Sequence, residues 1–281
     1  MTTLKPCSRN VKTSKSGGLK LTIRGSGSSG NSTTLTDLKT GKSIVLDAGV
    51  KPAKKFISDN ILAVFLTHRH SDHCCYVSAY AGKPILGSPI EFGKSVTPIT
   101  NFETLVFGPF EIIALSANHD TEDPLHYFIK CRDMAVFYGC DAVTLPDYYD
   151  KYFELADVIM IDANYDSVLM QEDTSYPEDL KLRIVNKGHA STQYIRKRMK
   201  KYEYKLVLCH LSMNYNTPEL AEEKISNCIA AVDKTRCPTT INILGSEITG
   251  NDIKGSRRDV QRKPRVDSRK TVKKSTRTTV K

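Results

Sequence analysis

The sequence has no CxxC pair among its eight cysteines, and it has no apolar run near the length of a membrane-spanning helix. The missing spacing argues against a zinc ribbon and against a disulfide framework. A span would need about 20 apolar residues, and the N-terminal residues also lack the apolar stretch of a secretory signal. We therefore expect a cytoplasmic protein that does not associate with a membrane and whose cysteines are mostly small core residues.

The main part of the chain has no net charge, although it contains many charged residues. The whole chain carries +10, and residues 254–281 alone contain twelve Lys or Arg and two Asp, so residues 1–253 are neutral by formal count. Because residues 254–281 have few apolar and no aromatic side chains, we predict a disordered basic C-terminal tail. Such a tail is either a solubilising extension or an arm that attracts nucleic acid by counterion release.

The rest of the composition is ordinary for a globular protein, with 40% hydrophobic and 26% charged residues. We predict one domain over residues 19–253, preceded by a flexible lead-in over residues 1–18. Short apolar strands fill most of the chain, and the last third adds predicted helices over residues 191–202 and 217–233. This order favours an α+β protein in which sheets lie between outer helices.

Three of the seven histidines fall within the segment LTHRHSDHCC at residues 66–75, directly after the apolar run ILAVFL. His68 and His70 are two positions apart, so in extended chain their side chains point the same way. Asp72 and His73 follow where the chain begins to turn. A lone histidine is usually structural, but imidazole and carboxylate groups in this density suit Zn²⁺, Mn²⁺ or Fe²⁺. The segment therefore predicts a metal site at the end of a buried strand.

Other candidate residues also follow apolar strands. They are His119, Asp141, His189 and His210. Because strand ends can share one edge of a sheet, we expect these side chains to converge with the first cluster. His126 lies inside a predicted strand instead, and we interpret it as a partly buried strand histidine.

Six segments occur along the chain in the order GSGSSGNST, LDAG, FLTHRHSDH, ANHDTEDPLHYF, GHAS and CHLS. In these segments and their order the chain resembles the YycJ/WalJ-like branch of the metallo-β-lactamase superfamily, from about Leu19 to about Leu244. The resemblance implies a four-layer αββα metallo-β-lactamase sandwich with a dinuclear metal site at one edge. It implies a first metal held by His68, His70 and His119, a second held by Asp72, His73 and His210, and a bridging Asp141. It also implies that Asp47 orients a ligand histidine.

The resemblance extends to candidate catalytic and substrate-binding residues. His189 lies in GHAST, which is similar to a segment of the tRNA-processing RNase Z. We interpret it as a general acid or phosphate contact, with a capping or structural role as the alternative. Asp72 is the second candidate catalytic residue. Ser28, Asn31 and Asn164 are the candidate substrate contacts, although the glycine-serine turn at residues 25–32 can equally serve only to let the metal loops pack closely.

The function implied by the resemblance is a phosphodiesterase with two divalent ions, Zn²⁺ or Mn²⁺. A hydroxide that bridges the ions would attack phosphorus. The expected substrate is nucleic acid, with DNA favoured over RNA, and the expected activity is that of a DNA 5′ exonuclease. Two alternatives stay open at this point. One is a small-molecule hydrolase, such as a cyclic nucleotide phosphodiesterase or a thioesterase, and the other is a binding protein that uses metal for stability.

Overall fold

The computed structural model describes residues 17–225, 228–230, 239–244 and 247–250. The predicted tail at residues 254–281, and all of the predicted lead-in except residues 17 and 18, lie outside the described residues. No helix within the described residues is both long enough and apolar enough to cross a membrane.

Most strands coincide with short apolar runs of the sequence, as predicted. In chain order they are β1 (Leu19–Gly25), β2 (Ser32–Asp37), β3 (Ser43–Leu46), β4 (Ile61–Phe65), β5 (Ile85–Gly87), β6 (Thr97–Pro98), β7 (Thr104–Phe107), β8 (Phe110–Ser116), β9 (Leu125–Cys131), β10 (Met134–Gly139), β11 (Val158–Asp162), β12 (Leu206–Cys209), β13 (Ile229–Ala230), β14 (Thr239–Leu244) and β15 (Glu247–Gly250).

The helices are short. They are α1 (Ser71–Cys74), α2 (Pro89–Phe92), α3 (Asp150–Leu155), α4 (Ser167–Glu172), α5 (Glu178–Arg183), α6 (Thr192–Arg198) and α7 (Pro218–Lys224). A π-helical segment, Ile184–Gly188, continues α5. Single 3₁₀ turns are Lys54–Phe56, Val77–Tyr80, Gly93–Ser95, Asp147–Tyr149 and Lys200–Lys205.

The strands form two sheets. In the first sheet the order is β15-β14-β1-β2-β3-β4-β5-β6, and in the second it is β13-β12-β11-β10-β9-β8-β7. Strands β3, β4 and β5 run parallel to one another, as do β10, β11 and β12. Strand β1 lies between β2 and β14, with Leu19 paired to Ile243. Since parallel strands end at the same edge, the loops after them meet there.

The main core lies between the sheets. Inward side chains from both sheets form it, including Leu21 and Phe65 from the first and Tyr127 and Met160 from the second. In β1 buried and partly exposed residues alternate, as expected for a strand with one covered face. In β9, β10 and β11 nearly every residue is buried, because α3, α6 and α7 cover the outer face of the second sheet. The Val77–Tyr80 turn and Phe92 of α2 cover part of the first sheet.

The predicted helix over residues 217–233 is wrong in its second half. It begins as expected, since Thr217 caps it through the backbone N–H of Leu220, but it ends at Lys224. Ile225 takes an extended conformation, and Ile229–Ala230 then pairs parallel with Val207 and Leu208 of β12. The pairing satisfies the outer edge of β12, which a longer helix would leave open.

The cysteines behave largely as predicted. Cys131, Cys140 and Cys209 are buried, whereas Cys74 and Cys228 are partly buried and Cys75 is exposed. Cys7 and Cys237 lie outside the described residues.

Candidate metal centre

Four loops at one edge of the sandwich supply all the predicted metal ligands. The loop after β4 carries His68 and His70 and leads into α1. The loops after β8, β10 and β12 carry His119, Asp141 and His210 respectively. Three of the residues at this edge have a positive φ, and they are Asp47 (58°), Asp141 (63°) and His210 (52°). The left-handed conformation turns the chain sharply where each strand ends, which aims these side chains at a common point.

The ligand atoms form two groups that share Asp141. One group is His68, His70, His119 and Asp141, and the other is Asp72, His73, Asp141 and His210. Within each group the candidate ligand atoms all lie within 4.8 Å of one another. The structure therefore brings together all seven candidate ligands, in the two groups that the resemblance implies.

In the first group, three imidazole nitrogen atoms face one another. The Nδ1 atom of His70 lies 3.0 Å from His68 Nε2 and 3.2 Å from His119 Nε2. The Oδ2 atom of Asp141 lies 3.6 Å from His68 Nε2 and 3.7 Å from His119 Nε2. A neutral imidazole has one donor and one acceptor nitrogen, so in the tautomers that turn an acceptor nitrogen inward these rings offer three lone pairs to one cation.

The second group also brings ligand atoms together, from two histidines and two carboxylates. His73 Nε2 lies 3.0 Å from Asp141 Oδ2, and His210 Nε2 lies 3.2 Å from Asp72 Oδ2 and 3.4 Å from Asp141 Oδ1. The Oδ1 atom of Asp141 is buried and accepts no hydrogen bond. Buried oxygen without a partner is costly, and a cation at this place would remove the cost. The donor set and this orphaned oxygen fit divalent metal ions bound by imidazole and carboxylate.

Asp47 makes the orienting contact that the resemblance implies. Its Oδ2 atom accepts from His73 Nδ1 at 2.8 Å and from the hydroxyl of Tyr138 at 2.9 Å. Its Oδ1 atom accepts from the backbone N–H of Thr67 at 2.9 Å. Because Nδ1 of His73 donates to Asp47, its Nε2 atom is left to face the second group.

The ligand histidines of the first group are oriented in the same way, by partners that the sequence did not indicate. His119 Nδ1 donates to the carbonyl of Gly188 at 2.6 Å. His70 Nε2 lies 3.4 Å from Oδ1 of Asp120. The hydrogen bond of His119 holds its Nδ1 atom away from the centre and leaves Nε2 for a metal, while Asp120 lies beside the Nε2 atom of His70.

Buried charge sets the protonation of the cluster. Burial raises the pKa of Asp141, but the imidazoles of His210 and His73 outweigh it and hold the pKa well below its usual range. Burial lowers the pKa of His210, yet Asp141 and Asp72 raise it to about 9. Burial and the neighbouring His73 keep the pKa of His68 well below its ordinary value. The carboxylates and imidazoles of the cluster are thus strongly coupled, and divalent ions would balance the charge of its carboxylates.

His189 is held by a carboxylate that ends β11. Its Nδ1 atom donates to Oδ2 of Asp162 at 2.8 Å, and its ring stacks on that of His210 with centroids 4.8 Å apart. The side chain of His189 is 18% exposed, whereas that of Asp162 is fully buried. Since Nδ1 is engaged, Nε2 is free to act toward the cavity that His189 lines. Asp162 was not predicted from the sequence, although it is the last residue of the apolar run VIMID.

The glycine-serine turn packs directly beneath the metal loops. A Cβ added to Gly25 would lie 2.6 Å from the Gly30 carbonyl oxygen, and one added to Gly30 would lie 2.4 Å from that of Gly49. A Cβ on Gly49 would lie 1.6 Å from the carbonyl oxygen of Asp72. These contacts agree with the interpretation that small residues let the loops approach each other.

The three predicted substrate contacts lie in different places. Ser28 lines the cavity over the centre. Asn31 is buried, and its Nδ2 atom lies 2.9 Å from His73 Nε2 and 3.2 Å from Asp72 Oδ2. Asn164 is also buried and donates to the carbonyl of His210 at 2.7 Å. Asn31 and Asn164 are therefore placed to position ligand residues.

His126 is a buried strand histidine, as expected, and is buried completely. Its Nε2 atom lies 3.1 Å from the carbonyl oxygen of Cys140 and 3.2 Å from that of Asp141. Burial outweighs these hydrogen bonds and lowers the pKa of His126 to about 4, so the ring is neutral near pH 7. The protonated Nε2 supports the backbone of Asp141 from behind.

A cavity of about 210 Å³ lies over the two ligand groups. Apart from ligands, its lining is Ser28, Asp120, Leu180, Arg183, Ile184, Gly188 and His189. A second cavity of about 460 Å³ adjoins it and shares Asp120 and Arg183.

Comparisons with known proteins agree with this architecture. No protein-family model matches the sequence. The exodeoxyribonuclease WalJ of Streptococcus pneumoniae serotype 2 is 29% identical over 246 residues, which span 77% of this chain and 90% of WalJ. The metallo-β-lactamase fold protein YhfI of Bacillus subtilis superposes with a TM-score of 0.62 at 18% identity, over 78% of this chain and 98% of YhfI. Zn²⁺-bound PqqB of Methylobacterium extorquens gives 0.59 at 13% identity, over 76% and 98%.

The structural matches confirm the predicted four-layer metallo-β-lactamase sandwich, and at 18% and 13% identity they show the fold alone. The chain has this fold, and the two ligand groups lie at the sheet edge where the resemblance places them.

Proposed function

We propose that this chain, which has the metallo-β-lactamase fold and resembles WalJ along most of its length, is a metal-dependent phosphodiesterase that acts on nucleic acid. The observation that carries the proposal is the pair of ligand groups joined through Asp141. The similarity to a protein named exodeoxyribonuclease favours DNA as the substrate and an exonuclease activity. We further propose two divalent ions, Zn²⁺ or Mn²⁺, since each group offers four ligands from nitrogen and oxygen.

Bound ions would supply Lewis-acid stabilisation of the phosphoryl oxygens and a nucleophile derived from water at neutral pH. The side chains of the protein do the rest. Asp72, Asp141 and the histidines fix where the phosphoryl group lies in the cavity. His189, whose Nδ1–H donates to Asp162, acts as an imidazolium and gives the proton on Nε2 to the leaving oxygen, which leaves the ring neutral. The loop hydroxyl of Ser28 lies at the cavity wall, where it can donate to a nonbridging oxygen.

We propose residues 19–253 as the catalytic unit and residues 254–281 as an arm that raises the local concentration of a polyanion. The arm carries the whole net positive charge of the chain. Because phosphate contacts release counterions, deleting residues 254–281 should weaken DNA binding and flatten its dependence on salt, while kcat is retained. An unchanged salt slope after the deletion would contradict a role in binding. The proposed location is the cytoplasm.

The test is cleavage of a 5′-labelled DNA duplex by the purified chain with added Mn²⁺ or Zn²⁺, beside the double variant His68→Ala/His70→Ala. We expect labelled mononucleotides from the native protein alone. The variant removes two ligands of the first group, so equal activity in both preparations would indicate a contaminating nuclease. If the protein binds metal but cleaves no DNA, the nuclease function is rejected, and a small-molecule phosphodiester or thioester becomes the favoured substrate.

A further inference from the structure

The cavity over the metal centre and the second cavity meet at one arginine. Arg183 and Asp120 line both, and within the part of the chain that the structure describes Arg183 is the only Lys or Arg in the lining of the first. The first cavity, at about 210 Å³, is smaller than the usual volume of a site for a whole small molecule, whereas the second, at about 460 Å³, is within that range. The first thus suits a phosphoryl group and the second suits a nucleoside-sized group.

Arg183 is fixed in place at this junction. Its Nε and Nη2 atoms donate to Oδ2 of Asp120 at 2.8 Å and 2.6 Å. Asp120 is itself 9% exposed and adjoins His119 and His70, while the side chain of Arg183 is 60% exposed. A guanidinium group has five N–H donors, so three remain for another acceptor after Asp120 is satisfied. An arginine that is held by a carboxylate and open to solvent is prepared to bind a phosphate.

The segment that carries Arg183 is fastened to the metal centre at its other end. The π-helical segment after α5 ends at Gly188, whose carbonyl accepts from His119 Nδ1. Lys187 and Asn186 of this segment line the second cavity, as does Leu182, which is 52% exposed. Two cations, Arg183 and Lys187, face two carboxylates, Asp120 and Asp179, in that cavity. Binding there would therefore depend on directed hydrogen bonds and an apolar contact more than on net charge.

We propose that the second cavity is the subsite for the nucleotide next to the scissile phosphodiester, and that Arg183 binds the phosphate of that nucleotide. The inference rests on the proposed function and names the part of the substrate that a nuclease of this kind would select. Leu182 offers a nonpolar surface to the sugar or base, and Lys187 and Asn186 offer donors to the phosphate. A substrate with only one phosphodiester and no neighbouring nucleotide does not reach this subsite.

The test compares two substrates in four proteins. The substrates are a labelled single-stranded oligodeoxynucleotide and bis(p-nitrophenyl) phosphate, which has only the scissile group. The proteins are the native chain, Arg183→Gln, Lys187→Gln and the matched control Arg196→Gln, whose exposed side chain on α6 lines neither cavity. Metal content is measured for each, because Arg183→Gln leaves Asp120 without its cation and Lys187→Gln does not disturb Asp120.

We expect Arg183→Gln to raise KM for the oligonucleotide about 10-fold and Lys187→Gln to raise it about 3-fold, with kcat nearly unchanged in both. This is the result expected when a charge-assisted hydrogen bond is lost that is equally strong in the ground state and the transition state. In Lys187→Gln and in the control, cleavage of bis(p-nitrophenyl) phosphate and metal content stay at native values, and Arg183→Gln loses less on this substrate than on the oligonucleotide. If Arg183→Gln loses the same activity on both substrates, Arg183 acts at the metal centre and not in the subsite. If both variants keep the native KM for the oligonucleotide, the proposed subsite is contradicted. If the native chain cleaves no DNA, the proposed function itself fails.

Discussion

At the scale of single residues, the centre depends on side chains that hold other side chains. Asp47 and Asp162 each accept a hydrogen bond from the Nδ1 atom of a histidine, His73 and His189 respectively, at 2.8 Å. Each contact fixes which ring nitrogen faces the cavity. The chemistry of the site is thus decided by tautomers as much as by positions.

His189 is expected to act on the leaving group. Replacing it in His189→Gln should lower kcat on an oligonucleotide by roughly 10²–10⁴-fold with little change in KM, because a positioned proton donor is lost. A p-nitrophenolate leaves without a proton, so hydrolysis of bis(p-nitrophenyl) phosphate should fall much less. Asp162→Asn, which removes the carboxylate that holds Nδ1, should give the same pattern at smaller size. Equal loss on both substrates would indicate a structural or metal-binding role instead.

His126 is expected to support the bridging carboxylate from behind. In His126→Phe the carbonyls of Cys140 and Asp141 lose their N–H donor, and the left-handed turn at Asp141 loses its support. Partners behind ligands typically contribute 10–100-fold to metal affinity, so we expect a loss of about that size in a competition titration with a chelator. His126→Gln, which keeps a donor, is the matched variant and should lose less. Native affinity in His126→Phe would contradict this role.

At the scale of secondary-structure elements, the two sheets are tied together away from the centre as well as by the core. Arg132, in the turn between β9 and β10 of the second sheet, donates from Nε and Nη2 to Asp37 at the end of β2 of the first, at 3.1 Å and 2.9 Å. The carboxylate is buried and the guanidinium is partly exposed. The pair therefore links one end of each sheet.

The Asp37 pair should make stability depend on acid. Burial raises the pKa of Asp37, but hydrogen bonds from Arg132 and Thr40 outweigh it and lower the pKa to about 2. The folded pKa is below the unfolded value of about 3.9, so the stabilisation is present above pH ~4 and is lost as the pH falls toward about 2. Arg132→Met should lower Tm at neutral pH and lower it progressively less in acid. The control is Lys130→Met, which breaks the exposed ion pair with Glu111. If Arg132→Met lowers Tm by the same amount at every pH, the link between the pKa of Asp37 and stability is contradicted.

The elements also show what the sequence could predict. The apolar runs predict most strands, and the seven ligands could be predicted because each follows one of those runs. The four- to six-residue helices are too short to show a helical period, which is why α1 to α5 were not predicted. Asp120, Asp162 and Arg183 were missed for another reason. Their partners are up to 63 residues away along the chain. The run VIMID places Asp162 at the end of a strand, but the local sequence does not indicate which residue each of the three contacts.

At the scale of the whole molecule, the metal groups join loops from both sheets. Asp72 and His73 follow the first sheet, and Asp141 and His210 follow the second. Metal bound at this edge therefore links the two halves of the sandwich. The linkage should be visible in global unfolding, because ligand that binds only the folded state adds about 2.7 kcal/mol at 100 times its Kd.

Removal of metal should accordingly destabilise the folded chain. We expect the chelated protein to unfold at a lower Tm than the protein with added Zn²⁺ or Mn²⁺, and to recover when metal is returned. Differential scanning calorimetry at fixed pH measures the shift. The variant His68→Ala/His70→Ala should show a smaller metal-dependent shift, since the second group remains. A native protein whose Tm ignores both chelator and metal would contradict binding at this edge.

The position of β1 between β2 and β14 has a consequence for synthesis on the ribosome. Leu19 pairs with Ile243, a partner that leaves the ribosome 224 residues later. At about 5–20 residues per second, one edge of β1 waits roughly 10–45 s for its neighbour. During that time its unpaired N–H and C=O groups form an open edge to which another chain could add. Lys20 and Arg24, which alternate with the buried residues of β1, are suited to discourage such pairing until β14 emerges.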